Sequence, residues 1–390
     1  MDRIRILIVD DAVVVRRMLS TLLAEDPELE VVGTAVNGAD ALRKIPDLRP
    51  HLLILDVDMP EMNGLETLTV LGREHPRLPV IMFSNLTRRG AQTTLEALAL
   101  GAKDYVTKPE SVGSAGEALE QVRAALVPKI KALCRPWEPA PAVLARRSHE
   151  PPAARQAPPS APAPAPAAPV SHAAHASAPP LPSPVLAPMT RRGGIELVVI
   201  GCSTGGPNAL ATLVAALPRG LAVPVVVVQH MPPVFTRMLA ERLDALSPLS
   251  VREGSDGARI QPGEIWIAPG DFHMTVRRSA DGLHLGLNQG APENSCRPAV
   301  DVLLRSAVAA CGARVLGVIL TGMGHDGLAS STRLREAGGQ LLAQDERSSV
   351  VWGMPGNVVR AGLADRVLAI EDIGPEIAAR VRGEGGRHGC

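Results

Sequence analysis

The sequence predicts an α/β protein with two doubly wound parallel sheets in tandem, and three observations support that prediction. Short apolar runs alternate with longer segments of helical periodicity in both halves of the 390 residues. Those runs are continuously apolar rather than alternating, as strands covered on both faces by helices require. Between the halves, over about residues 135–192, the composition breaks: 16 of the 36 prolines fall here, and Ala-Pro pairs recur from Ala161 to Ala167.

In the first half, residues 4–9, 31–35, 52–55, 80–83 and 104–106 read as five strands. The last helix of that half shows as the stripe Leu119, Val122, Leu126, Ile130 and Leu133, spaced three to four residues apart. This makes a (βα)5 unit over residues 1–134. Residues 135–192 read as a semi-rigid Pro/Ala-rich linker, because proline removes backbone donors and favours polyproline II. From 193 to 390 the rhythm returns. Candidate strands are 196–200, 223–228, 264–268, 275–276, 283–287, 315–319, 340–343 and 366–369, with helices over 208–216, 235–246, 299–310 and 327–337. Asp281-Gly282 marks the turn of an antiparallel β-hairpin in this second doubly wound domain.

Composition narrows the function. Forty Lys and Arg balance forty Asp and Glu, which argues against a chain whose main task is neutralising nucleic-acid phosphates or coating an anionic membrane. Five cysteines, at 134, 202, 296, 311 and 390, form no CxxC pair; neither a disulfide framework nor a zinc site is expected. The opening Met1-Asp2-Arg3-Ile4 runs straight into a strand-like segment without a signal-peptide apolar core. No apolar stretch is long enough to span a bilayer. A cytoplasmic setting without membrane insertion is the expectation.

In a doubly wound sheet, loops at the strand C-termini converge on one crevice. Asp10 and Asp11 follow the first strand, Asp56 ends the third, Ser84 the fourth, and Lys108 follows the fifth. Three clustered carboxylates suit a hard dication such as Mg²⁺, and a hydroxyl and an ammonium beside them can hold phosphoryl oxygens. Asp56 is then a candidate phosphoryl acceptor. Together with Leu55-Asp56-Val57-Asp58-Met59-Pro60, Asn63-Gly64 and Lys108-Pro109, this constellation resembles the response-regulator receiver family, whose fold is flavodoxin-like. The resemblance implies phosphorylation at Asp56 by a sensor histidine kinase, and Mg²⁺ held by Asp10, Asp11, Asp56 and the backbone carbonyl of Asp58. It also implies phosphoryl contacts from Ser84 and Lys108, an aromatic switch at Tyr105 and a cis Lys108–Pro109 peptide.

The second domain opens with Val198-Val199-Ile200-Gly201-Cys202-Ser203-Thr204-Gly205-Gly206-Pro207, a strand entering a glycine-rich turn and a helix. Ser203 there would expose its hydroxyl near helix N-terminal N–H groups able to stabilise an oxyanion. Taken alone, the turn is equally compatible with a phosphate or dinucleotide loop, or with Ser203 as a plain helix cap, although no Walker lysine follows. A serine nucleophile needs a base and an orienting carboxylate. The strand over 223–228 leads into Gln229-His230-Met231-Pro232, and the strand over 315–319 into Leu320-Thr321-Gly322-Met323-Gly324-His325-Asp326-Gly327. The order Ser, His, Asp differs from that of α/β-hydrolases.

With Ala268-Pro269-Gly270-Asp271-Phe272-His273-Met274, Arg297-Pro298-Ala299-Val300-Asp301 and Trp352-Gly353-Met354-Pro355-Gly356, the domain resembles the chemotaxis protein-glutamate methylesterase (CheB) family. That likeness implies Ser203 as nucleophile, His230 as general base and acid, Asp326 as orienting carboxylate, the Met323 N–H as oxyanion donor and Thr204 beside the site. The implied substrate is a γ-glutamyl methyl ester on the cytoplasmic helices of a chemoreceptor, hydrolysed with no cofactor. In some relatives the activity extends to receptor glutamine deamidation. The likeness further implies that the unphosphorylated receiver covers the esterase cleft.

Overall fold

The computed structural model describes residues 3–109, 115–134 and 194–383. The expected linker over 135–192 lies outside these residues. In the first half the chain runs β1 (Ile4–Val9), α1 (Val13–Ala24), β2 (Leu29–Ala35), α2 (Gly38–Leu48), β3 (Leu52–Asp56), α3 (Gly64–Glu74), β4 (Val80–Ser84), α4 (Arg88–Ala99), β5 (Asp104–Thr107) and α5 (Ala115–Cys134). The five strands form one sheet of order β2-β1-β3-β4-β5, every pair parallel. This is the flavodoxin-like order, with its switch point beside β1 and β3. β3 and β4 are buried at every residue, which is why their sequences run apolar without alternation. Helix starts are fixed locally. Asn63 accepts from the Glu66 N–H while the Glu66 carboxylate accepts from the Asn63 N–H, a capping box that opens α3 directly after the acidic loop.

The second half runs β6 (Leu197–Cys202), α6 (Gly206–Ala215), β7 (Val225–Gln229), α7 (Phe235–Leu246), β8 (Ser250–Glu253), β9 (Arg259–Ile260), β10 (Glu264–Ile267), β11 (His273–Ser279), β12 (Gly282–Asn288), α8 (Val300–Cys311), β13 (Val315–Ile319), α9 (Leu328–Glu336), β14 (Gln340–Gln344), α10 (Met354–Arg360), β15 (Arg366–Leu368) and α11 (Ile370–Val381). Seven strands make a parallel sheet of order β15-β14-β13-β6-β7-β10-β8. From the central β6 the chain winds first toward β7 and later returns through β13 on the other side. Loops leaving β6, β7 and β13 therefore open onto one crevice. The hairpin expected at Asp281-Gly282 is β11–β12, and β9 joins it to make a separate three-stranded antiparallel sheet.

Four elements lie beyond the sequence reading. β8 and β9 are short and half-exposed, so neither carries a continuous apolar run. Helix α10 is seven residues long with Pro355 in its first turn, and α11 has Pro375 within it, the residue normally read as a breaker in a helix interior. The only cis peptide among the described residues is Arg297–Pro298; the Lys108–Pro109 bond, expected to be cis, is trans. Among the described residues no helix is long and apolar enough to cross a membrane.

Candidate active site

Two polar pockets stand at strand C-termini, one on each sheet. In the first, Asp10, Asp11 and Asp56 each bring a carboxylate oxygen to within 4.8 Å of the others. Asp10 and Asp56 are buried, Asp11 and Asp58 exposed. The Lys108 ammonium bridges Asp10 and Asp56, 2.9 Å from an oxygen of each. Burial pushes the Asp56 carboxyl up from 3.8 to about 6 despite the opposing pull of Lys108. Burial alone would lower the Lys108 ammonium, but its bonds to Asp56 and Asp10 outweigh that and hold it above its ordinary value. This charge-rich, oxygen-only donor set fits a hard dication. The Ser84 hydroxyl is buried and stands 2.8 Å from that of Thr94 in α4.

The second pocket draws on three strand ends. β6 is buried throughout, and Gly205, at φ 78°, turns the chain from it into α6. Ser203 sits on that turn. On the adjacent strand Gln229 pairs with Cys202, so Ser203 and His230 are the next residues along on neighbouring strands, which run about 4.8 Å apart. The Gln229 amide donates to the carbonyls of Ser203 (3.0 Å) and His230 (3.3 Å) and ties the two loops together. From the other side, the Thr321 carbonyl accepts the Ser203 N–H at 3.0 Å. The next residue must be glycine, because a Cβ on Gly322 would meet the Ser203 Cβ at 2.9 Å and run into the Met354 sulfur. Following it, the Met323 N–H has no hydrogen-bond acceptor among the described residues.

Asp326 ends this loop, 3 % exposed and fully engaged. One oxygen accepts from His230 Nε2 at 2.8 Å and from the Val300 N–H at 2.7 Å; the other accepts from the Asp301 N–H at 3.0 Å and from Asn294 Nδ2 at 2.8 Å. The two backbone donors are the first turn of α8, so the carboxylate also sits where the helix dipole favours an anion. Burial would push Asp326 up, but His230 and these donors outweigh it and hold the carboxyl below its ordinary value. Burial would likewise depress the His230 imidazole. Its bonds to Asp326 and Cys296 outweigh that and lift it from 6.5 to about 9.

With Nε2 committed to Asp326, Nδ1 is the imidazole nitrogen left for chemistry. It stands 3.5 Å from Cys296 Sγ, while the Ser203 hydroxyl makes no hydrogen bond among the described residues. Gln229, Asn294, Asp301 and Cys296 were not foreseen as site residues. Asp301 stood in a stretch the family resemblance had already picked out, but the contacts of all four become visible only when β7, the 294–298 turn and α8 are brought together. His273 is buried, with Nε2 donating to the Ala291 carbonyl at 3.0 Å. His325 is exposed.

The α4–β5 face of the first domain is packed onto this crevice. Tyr105 stacks on Phe235 with ring centroids 4.7 Å apart and planes 3° from parallel. The Thr204 hydroxyl, next to Ser203, donates to Asp104 at 2.6 Å, and Lys129 pairs with the same carboxylate at 2.9 Å. Asn208 and Arg242 donate to the Leu98 and Leu95 carbonyls at 2.6 and 2.9 Å.

Known proteins carry the same two parts in the same order. The response regulator receiver domain profile matches residues 6–120 and the CheB methylesterase profile residues 198–377. A protein-glutamate methylesterase/protein-glutamine glutaminase of Nocardioides sp. is 50% identical over 98% of this chain and 96% of its own. The protein of that name from Trichodesmium erythraeum is 46% identical over 98% and 100%, and that from Maricaulis maris 44% identical over 97% and 96%. At such identity over nearly the whole of both chains, the protein belongs to the CheB family of protein-glutamate methylesterases.

Proposed function

We propose that the chain is a phosphorylation-controlled protein-glutamate methylesterase in which Ser203, His230 and Asp326 do the chemistry. The observation that carries this reading is the pairing of the half-buried His230 with the buried Asp326, 2.8 Å apart, standing one strand from Ser203. Asp326 holds Nε2 protonated and stabilises the cation that forms on the ring. Nδ1 takes the Ser203 proton as Oγ attacks the ester carbonyl carbon. The oxyanion is received by the unengaged Met323 N–H. Imidazolium then protonates the departing methoxide, methanol leaves, and the same nitrogen activates the water that frees the glutamate carboxylate. A receptor glutamine would follow the same path with ammonia as leaving group.

The receiver supplies control. Asp56 is the phosphoryl acceptor and a sensor histidine kinase the donor. Asp10, Asp11, Asp56 and the Asp58 carbonyl would hold Mg²⁺, which neutralises charge on the phosphoryl oxygens when bound. Lys108 and Ser84 hold those oxygens. Ser84 now faces Thr94 of α4, so drawing its hydroxyl toward a phosphoryl group removes a contact from the helix that packs on the esterase domain. The Asp104–Thr204 and Tyr105–Phe235 contacts close the crevice, and their loss on phosphorylation opens it to the chemoreceptor helix. This action belongs at the cytoplasmic side of a membrane receptor.

Methanol release from receptors carrying labelled methyl esters tests the reading. Ser203→Ala abolishes release while leaving the fold intact, and a phosphoryl donor plus Mg²⁺ accelerates the wild type. Undiminished release by Ser203→Ala removes the catalytic assignment. An unchanged rate on phosphorylation removes only the regulatory one.

A further inference from the structure

Ester hydrolysis gives no task to the sulfur that occupies His230 Nδ1. Cys296 is held there by its own backbone. Glu293 and Cys296 exchange N–H···O bonds at 3.1 and 3.0 Å around Asn294 and Ser295, both at positive φ (53° and 61°), which is a type I′ turn. The turn is clamped from outside: Asn294 reaches Asp301 (2.9 Å) and Asp326 (2.8 Å), and Glu293 pairs with Arg305 at 2.8 Å. Sulfur, imidazole and carboxylate thus stand in line, Cys296 Sγ to Nδ1 at 3.5 Å and Nε2 to Asp326 at 2.8 Å. In the neutral ring Nε2–H donates to the carboxylate and Nδ1 presents its lone pair to the thiol. This is the cysteine–histidine–carboxylate order of thiol nucleophiles, in which the relay that activates a hydroxyl serves a thiol equally well.

The sulfur is also reachable. Cys296 is half-buried and lines a cavity of about 390 Å³ together with His230, Met231, Pro232, Asp271 and Arg297. The other described cysteines differ. Cys202 and Cys311 are buried, and burial raises both thiols. Burial lifts Cys134 to about 12. Among the described cysteines Cys296 alone has an imidazole at its sulfur.

We propose that Cys296 is a second nucleophile on the His230–Asp326 relay and the site at which low-molecular-weight disulfides cap this enzyme and shut it off. In the capping step the Cys296 S–H proton passes to His230 Nδ1, and the thiolate attacks one sulfur of the disulfide. A protein–ligand S–S bond forms as the ligand's own S–S bond breaks. The leaving thiolate takes the proton back from Nδ1, so Cys296 is oxidised and half of the reagent is reduced to a thiol. The adduct stands in the cavity beside His230 and blocks the approach of an ester. Excess thiol reverses the exchange.

The test treats full-length protein with oxidised glutathione and follows adducts at each cysteine by peptide mass spectrometry, with ester hydrolysis measured in parallel. The capping rate at Cys296 exceeds that at Cys134 by about tenfold or more, and His230→Gln or Asp326→Asn cuts it by a similar factor. Hydrolysis falls in proportion to Cys296 occupancy and returns with dithiothreitol. Ser203→Ala leaves capping at Cys296 intact, so failure of the esterase assignment and failure of this one are separately visible. Capping no faster than at Cys134, rates indifferent to both relay variants, or full hydrolysis at full occupancy would each overturn the proposal.

Discussion

Asp56 and Asp326 are both buried carboxylates at the C-terminal end of a parallel sheet, each beside a cationic partner, yet their protonation is driven in opposite directions. Asp56 has Lys108 at 2.9 Å and the Val57 N–H at 2.8 Å; burial dominates, and its carboxyl is pushed up to about 6. Asp326 accepts four hydrogen bonds, two of them from the first turn of a helix, and its carboxyl is held down. The difference fits the roles proposed for the two, a carboxylate that accepts a phosphoryl group and one that orients a base. The first is under-satisfied and gains from a metal ion or a phosphoryl group. The second is saturated, and its only exchangeable business is the imidazole in front of it.

The largest expected effect comes from breaking the saturated side. Asp326→Asn keeps the shape but loses the charge that orients and stabilises His230, and kcat for methyl-ester hydrolysis falls by roughly 10³- to 10⁴-fold. A loss under tenfold would mean that the pair is structural. Next comes pH. The folded imidazole lies above 6.5, at about 9, so the protonated ring predominates below that value and the base form appears as pH rises through it. The rate of the unphosphorylated enzyme therefore climbs through the alkaline range. In Asp326→Asn the remaining rate should show this limb lower by about one pH unit or more. A pH-independent rate between 7 and 9 removes His230 as the base.

Smaller effects probe the seam and the other carboxylate. Phe235→Ala deletes an aromatic stack worth about 0.5–1.5 kcal/mol, and the unphosphorylated rate rises roughly 2- to 10-fold while the phosphorylated rate stays put. Equal changes in both states would show that the stack does not hold the closed form. In metal-free buffer Asp56→Asn stabilises the receiver. The folded pKa of Asp56 exceeds its unfolded value, so its cost is absent below about 3.8, grows between there and 6, and is complete at pH 7. The gap sets a ceiling of roughly 3 kcal/mol, reduced by the lost Lys108 pair. Urea unfolding with and without Mg²⁺ checks this, the gain shrinking when Mg²⁺ is present.

Much of this was legible in the chain. The continuous apolar runs of β1, β3, β4, β6, β7 and β13 announce buried parallel strands, and the polar residues that directly follow such runs fall at one rim by topology alone. That is why Asp56, Ser203 and His230 could be singled out by position, with Lys108 directly after β5 and Asp326 as the carboxylate of the loop leaving β13. β8, β9 and the seven-residue α10 could not, being too short for a pattern, and α11 was hidden by Pro375, a residue that usually ends a helix.

What the sequence by itself determined is the pair of doubly wound sheets and the set of reactive side chains at their rims, because strand burial and chain winding follow from local hydrophobic pattern. Only the tertiary structure decided which groups share a proton or a charge. The four donors on Asp326, Cys296 at the free nitrogen of His230, and Asp104 on the hydroxyl beside Ser203 join residues 25 to 100 positions apart. Contacts at such separations depend on how loops and domains pack, and no local pattern of residues encodes them.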